Sequence, residues 1–163
     1  MNPNFEHKIC EPGALAARAA ALPRPRVMTN GVFDLLHRGH VSYLAQARAL
    51  GASLLVAVNS DESVRRLGKG PERPLNSCVD RLVLLAALES TSLLSWFDED
   101  DAARLVLLIR PEVYVKGGDY RVEHTAEGRA ALASGAQIRA LGLVQGYSTS
   151  EMMRRLRHDN ARS

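Results

Sequence analysis

Two hydrophobic periods take turns along this chain, and their alternation is its main structural message. Leu54-Leu55-Val56-Ala57-Val58 is an unbroken apolar run of strand length. Arg26-Val27-Met28, Leu93 to Phe97, Val113-Tyr114-Val115 and Gln137 to Leu143 are segments of the same character. Between them, helical spacing covers Val41 to Leu50, Asp61 to Leu67, Val79 to Glu89, Ala102 to Ile109 and Thr125 to Ser134, with a closing helix from Ser148 to Arg157. Ser60 or Asp61 can cap the second of these, Pro111 stops the fourth, and Gly135 ends the fifth. Val79 to Glu89 is apolar on nearly all sides, which predicts deep burial. Strands alternating with helices predict an α/β fold: a doubly wound parallel sheet, covered on both faces and joined by right-handed crossovers. Residues 1–25 read as an N-terminal extension with a short alanine-rich helix, Ala14 to Leu22, and the breaker Pro23-Arg24-Pro25. Residues 26–163 read as one domain.

Composition narrows the class. A formal charge of +3 is mild, and the basic residues are spread out except for Arg154-Arg155 and Arg157, which argues against nucleic acid as a partner. The two cysteines, Cys10 and Cys78, lack metal-type spacing and are expected to be reduced thiols. The start, Met1 to Glu11, has no apolar core of signal-peptide length, and no run approaches the roughly 18 apolar residues of a membrane span. A cytoplasmic protein without a membrane partner is the expectation.

One segment carries most of the chemistry. Thr29-Asn30-Gly31-Val32-Phe33-Asp34-Leu35-Leu36-His37-Arg38-Gly39-His40 lies between a strand and a helix and places two histidines three apart across a glycine. Residues three apart share a helical face, so His37 and His40 can address one small region beside a helix start, where unpaired N–H groups attract phosphate. Gly31 permits a tight turn, and Gly39 removes a Cβ where a ligand can lie against the backbone. Three further polar clusters, Asn59-Ser60-Asp61, Lys116-Gly117-Gly118-Asp119 and Ser148-Thr149-Ser150, also follow expected strands. In a doubly wound sheet all four converge on the carboxyl edge, where ligands bind.

The first segment resembles the His-x-Gly-His signature of the nucleotidyltransferase superfamily that includes the cytidylyltransferases. The resemblance implies a Rossmann-like fold and an enzyme that splits a nucleoside triphosphate at its α-phosphate. It makes His37 and His40 donors to the triphosphate, with Asn30, Gly31, Val32, Gly39, Asn59 and Asp61 in the nucleotide site. Phe33 belongs there too, as packing beneath the site rather than a stacking platform. Asp34 is expected at the nucleotide and acceptor, orienting a histidine or a backbone turn, with a loop-to-helix cap as the alternative. Lys69, in Leu67-Gly68-Lys69-Gly70-Pro71-Glu72-Arg73-Pro74, resembles the superfamily's flexible lysine loop and is expected to be catalytic. Arg81 reaches the nucleotide or forms an ordinary ion pair.

Lys116-Gly117-Gly118-Asp119-Tyr120 is similar to a segment of the heptose-phosphate adenylyltransferases, and to the related lysine segment of glycerol-phosphate cytidylyltransferases. By that likeness Lys116 is catalytic and contacts a phosphate of the acceptor or the nucleotide, with Gly118 and Asp119 beside it. Tyr147-Ser148-Thr149-Ser150 resembles the superfamily's late hydroxyl-rich motif at the terminal phosphates, although Ser148 and Glu151 also make a capping box. The likeness over residues 26 to about 157 implies transfer of AMP from ATP to D-glycero-β-D-manno-heptose 1-phosphate, giving ADP-heptose and pyrophosphate for lipopolysaccharide. It further implies Mg²⁺ arriving with ATP, a stand-alone enzyme fed by a separate kinase, and a homo-oligomer. Two alternatives stay open: a cytidylyltransferase acting on glycerol 3-phosphate or another small phosphate, and a nucleotide-binding module without turnover. Retention of both histidines with Lys69 and Lys116 speaks against the second. Asp98-Glu99-Asp100-Asp101 reads as a solvated cap rather than a metal cluster, and His124 as a surface residue.

Overall fold

The structure is a computed structural model that describes residues 4–68, 70–118, 121–142, 146–147, 149 and 151–154. Its strands are β1 (Arg26–Gly31), β2 (Ser53–Asn59), β3 (Leu93–Phe97), β4 (Val113–Gly117) and β5 (Gln137–Leu141). The helices are α1 (Leu15–Ala20), α2 (Arg38–Arg48), α3 (Asp61–Arg66), α4 (Cys78–Ala86), α5 (Ala103–Ile109) and α6 (Ala126–Ala133), and residues 151–154 are helical as well. The strands form one sheet in the order β3-β2-β1-β4-β5, every neighbour pair parallel. This is the doubly wound α/β arrangement expected from the hydrophobic pattern. Strand order reverses between β1 and β4, so Asn30 and Lys116, at the carboxyl ends of those strands, flank the crevice where such sheets hold ligands.

Period-two alternation sorts the strand residues between two cores. Leu54, Val56 and Val58 of β2 pack with Tyr43, Leu44 and Ala47 of α2 and Leu82, Leu85 and Ala86 of α4. Leu55 and Ala57 point the other way, to Leu15 and Ala19 of α1, Leu105 and Val106 of α5, and Ala130 and Ala131 of α6. Both faces are therefore covered, and all seven residues of β2 are buried.

Two expectations about α4 change. The α4 helix is not buried all round: it lays Leu82, Leu85 and Ala86 on the sheet while Val79 and Leu84 are 68% and 45% exposed. Its most buried large side chain is instead Arg81, at 0%. A charge can sit there because backbone carbonyls and a carboxylate surround it, as described below. The helix also ends at Ala86 rather than Glu89, where the Lys8 ammonium donates to the carbonyls of Ala86 and Leu88 at 3.0 and 2.9 Å. The N-terminal extension packs onto the sheet and its helices. Ile9 bridges Leu94 on the outer edge of β3, the Cys10 N–H donates to the Leu94 carbonyl at 2.9 Å, and Leu15 and Ala19 are core residues. Arg18 fastens the segment to itself through the carbonyls of Ile9 and His7.

At the amino end of the sheet, far from the crevice in topology, Glu112 accepts from the Arg26 N–H at 2.6 Å and pairs with the guanidinium groups of Arg26 and Arg24. Partial burial pushes its pKa upward, but these donors outweigh it and hold the carboxyl at about 2.

Candidate active site

The turn after β1 is built around a strained residue. Phe33 has φ 51, a left-handed backbone that is unfavourable for a bulky side chain. Its ring folds back over Gly31, where a Cβ would stand 3.0 Å from Phe33 Cε2, and meets the His40 ring edge-on at 5.3 Å between centroids. His37 is the N-cap of α2, with its Nδ1 accepting the His40 N–H at 3.3 Å. An Nδ1 that accepts leaves the proton of a neutral imidazole on Nε2, so His37 offers an N–H to whatever lies beyond it. The two imidazoles stack, centroids 3.8 Å apart and 17° from parallel.

That stacking is possible because residue 39 is glycine. A Cβ on Gly39 would sit 2.9 Å from His37 Nδ1 and 3.2 Å from Tyr147 Cβ. The space over Gly39, expected to receive a ligand directly, is thus taken by the His37 ring and by Tyr147, whose ring centroid is 6.3 Å from that of His37. Burial, and then the neighbouring His37, push the His40 pKa down to about 4; burial also lowers that of His37. Both rings are therefore neutral near pH 7 and can offer N–H groups but no positive charge. His40 Nδ1 is buried and meets no partner at full hydrogen-bond geometry, although the Leu35 backbone lies near enough to favour the protonated ring slightly against burial.

Across the reversal of strand order, at the carboxyl ends of β1 and β4, lies a second polar group. Asn30 Oδ1 accepts from the Tyr114 hydroxyl at 2.5 Å and from Lys116 Nζ at 3.2 Å, while Asn30 Nδ2 donates to Glu127 Oε1 at 3.4 Å. Lys116 Nζ also pairs with Glu127 Oε1 at 3.4 Å. Burial raises the Glu127 pKa, but Lys116 and its other donors prevail and leave it below the usual carboxylate value. Gly118 takes φ 102 and donates to the Leu141 carbonyl at 2.9 Å, turning the chain away just past Lys116.

A third group lies beneath these two and serves structure. Asp34 is 2% exposed; its Oδ1 accepts the N–H groups of Leu75 and Asn76 at 2.8 and 2.9 Å, and its Oδ2 pairs with Arg73 at 2.7 Å. Burial raises its pKa, but those contacts outweigh it and net it downward. Arg81 donates to the carbonyls of Val32 and Asn59 at 2.8 and 2.7 Å, to that of Asn76 at 3.1 Å, and to Asp61 at 2.7 Å. Asn59 turns its amide to Ser63 Oγ at 3.0 Å. Asp34, Arg81 and Asn59 hold the loops between β1, β2 and α4 in register, the backbone-turn role open to Asp34 and the ion pair open to Arg81 among them. Their polar groups have partners within the protein.

The structure therefore brings His37, Gly39, His40, Phe33 and Tyr147 together at the start of α2, and joins Asn30 to Lys116 at the carboxyl ends of β1 and β4. Thr149 lies in the helical stretch after Tyr147. Lys69, Asp119, Ser148 and Ser150 lie outside the described residues. The acidic run behaves as a cap: Asp101 accepts the Ala103 N–H at 2.9 Å, while Asp100 and Glu99 pair with Arg66 and Arg104. The side chain of His124 is 67% exposed. Sequence reasoning missed Glu127 and Tyr114. Glu127 looks like any acidic residue in a helix's first turn, and Tyr114 like any core aromatic.

A family model described as cytidylyltransferase-like matches residues 28–155. The chain belongs to the cytidylyltransferase-like family. Within that family it is 49% identical over 155 residues to a protein of Bordetella bronchiseptica named D-beta-D-heptose 1-phosphate adenylyltransferase, covering 94% of this chain and 96% of the relative. It is also 53% identical over 131 residues to the bifunctional protein HldE of Edwardsiella ictaluri, covering 80% of this chain but only 27% of that longer relative. Among solved structures, a lipopolysaccharide core biosynthesis protein of Thermoplasma volcanium superposes with a TM-score of 0.61 at 28% identity, covering 76% of this chain and 98% of that one. Pantothenate synthetase of Thermus thermophilus, at 18% identity and a TM-score of 0.57, shares the fold. No helix among the described residues of this cytidylyltransferase-like chain is long and apolar enough to cross a membrane.

Proposed function

We propose that this protein transfers AMP from ATP to D-glycero-β-D-manno-heptose 1-phosphate, forming ADP-heptose and pyrophosphate for lipopolysaccharide core synthesis. The observation that carries this reading is the 49% identity with the Bordetella heptose 1-phosphate adenylyltransferase, which runs through nearly the full length of both chains. In the reaction an oxygen of the sugar phosphate attacks the α-phosphorus of ATP, and the bond from that phosphorus to the bridging oxygen breaks to release pyrophosphate. The nucleophile is already anionic, so the protein's work is positioning and charge stabilisation rather than proton abstraction. The neutral His37 and His40 suit that work: their N–H groups stand at the start of α2, whose free amides favour phosphate. Lys116, at the end of β4 beside Asn30, supplies a cation for the sugar phosphate, and Lys69 belongs with the triphosphate.

Magnesium would accompany ATP. The phosphates of ATP would supply most of its ligands, since magnesium bound with a nucleotide needs few from the protein. A cytoplasmic setting, where ATP and sugar phosphates meet, and assembly with further copies of the chain belong to the same proposal. Pyrophosphate release tests it, with ATP or CTP offered against heptose 1-phosphate or glycerol 3-phosphate. Turnover with ATP and heptose 1-phosphate is expected. Turnover only with CTP, or only with glycerol 3-phosphate, would overturn the assignment.

A further inference from the structure

Lys116 does not stand alone at the end of β4. Asn30 Oδ1, Lys116 Nζ, Glu127 Oε1 and Asn30 Nδ2 form a closed ring of contacts at 3.2, 3.4 and 3.4 Å, and the Tyr114 hydroxyl fixes which way the Asn30 amide faces. An ammonium has three protons, and this ring engages two of them, which restricts the third. The side chain of Glu127 is 10% exposed and that of Lys116 is 26% exposed, so the carboxylate lies behind the lysine and the lysine toward solvent.

The placement of Glu127 has a backbone cause. Thr125 caps α6 by accepting the Gly128 N–H at 3.0 Å, and the turn Val122–His124 presses onto the helix so closely that a Cβ on Gly128 would stand 1.8 Å from the Val122 carbonyl oxygen. That approach sets the first turn of α6, and Glu127 with it, at the end of β4. The carboxylate at a helix N-terminus is also favoured by the helix dipole, so the position is electrostatically stable without any ligand.

We propose that Glu127 is a positioning residue of the transfer reaction, acting through Lys116 to aim its ammonium at the phosphate of the sugar substrate. This rests on the function proposed above. The carboxylate has two opposed effects on an incoming phosphate. It fixes the direction of the lysine, which raises turnover, and it neutralises part of the lysine's charge, which weakens phosphate binding. Removing the charge while keeping the shape separates them.

In Glu127→Gln, kcat should fall about tenfold or more, while KM for heptose 1-phosphate falls. A side chain that served only the fold would lower the melting temperature and the active fraction and leave KM unchanged. In the Lys116→Met background the further substitution Glu127→Gln should change kcat less than twofold, because the group it acts through is gone. Calorimetry with inorganic phosphate supplies a readout independent of the substrate's identity: Lys116→Met should weaken binding, and Glu127→Gln should tighten it only where Lys116 is present. If the wild type failed to use heptose 1-phosphate, the functional reading would fall, and the phosphate titrations would still decide for or against Glu127. Wild-type kcat in Glu127→Gln, or an undiminished effect of that substitution in the Lys116→Met background, would overturn the positioning role.

Discussion

Gly39→Ala should cut turnover about a hundredfold while moving the melting temperature by no more than a few degrees. The new Cβ would lie 2.9 Å from His37 Nδ1 and 3.0 Å from Cε1, where ordinary van der Waals contact begins at 3.4 Å. The imidazole must therefore retreat by about half an ångström or tilt off His40, because Tyr147 Cβ at 3.2 Å closes the other side. Tilting breaks the 3.3 Å cap to the His40 N–H, at a cost of about 1 kcal/mol. Alanine near a helix start recovers up to about 1 kcal/mol through its better helix propensity, so the two stability terms nearly cancel. Catalysis has no such compensation, since displacing a positioning group by an ångström can cost roughly 10²-fold. Thermal melting alongside steady-state pyrophosphate release measures both quantities. A folded Gly39→Ala protein with kcat within threefold of wild type would refute the idea that the stacked pair is the working arrangement.

Three other outcomes follow from groups described above. The His40 ring should titrate at about 4 by NMR, and stability should decline as pH falls from the unfolded value of 6.5 toward 4, by up to about 3 kcal/mol, because only the unfolded chain takes up the proton in that window; a midpoint near 6.5 would contradict the burial argument. Glu112 is the acid counterpart: its contribution, about 1–3 kcal/mol after screening, is present above pH 4.5 and lost as pH falls toward 2, so acid titration of Glu112→Gln should show a flatter stability profile between those values. Gly128→Ala should destabilise the fold by 3 kcal/mol or more in denaturant melts, since its Cβ would overlap the Val122 carbonyl oxygen at 1.8 Å and backbone would have to move; a loss below about 1 kcal/mol would show that the turn yields freely.

Much of this could be read before any coordinates. The apolar run at Leu54 to Val58 marked the central strand, and helices between strands gave the parallel topology. Spacing pointed His37 and His40 at one region, although His37 reaches it as the extended cap of α2 and not from a helical turn. What spacing could not reveal was which polar residues the protein would use on itself. Arg81 lies among leucines in the sequence and looks like an intruder in an apolar helix; its ion pair, with Asp61, is of the kind expected, but the carbonyls at residues 32, 59 and 76 that complete its shell leave no trace in side-chain chemistry. Asp34 sits inside the most ligand-like segment of the chain, yet its acceptors are filled by main-chain N–H groups some forty residues away. Glu127 fails in the other direction, because its importance comes from where Gly128 lets a helix settle. Local pattern reports an element and its buried face, whereas polar pairings depend on which loops meet.

The strap at residues 4–10 bears on how this protein can be trimmed and handled. The family match begins at residue 28, inviting a cut just before β1. Such a cut would strip Leu15 and Ala19 from the interior and leave the Leu94 carbonyl on β3 without the Cys10 N–H. An uncovered strand edge beside a newly bared apolar surface is a template for other chains. The shortened protein would be prone to aggregate and sticky toward its own copies, and an apparent oligomer found in that form would report the missing strap rather than a native assembly.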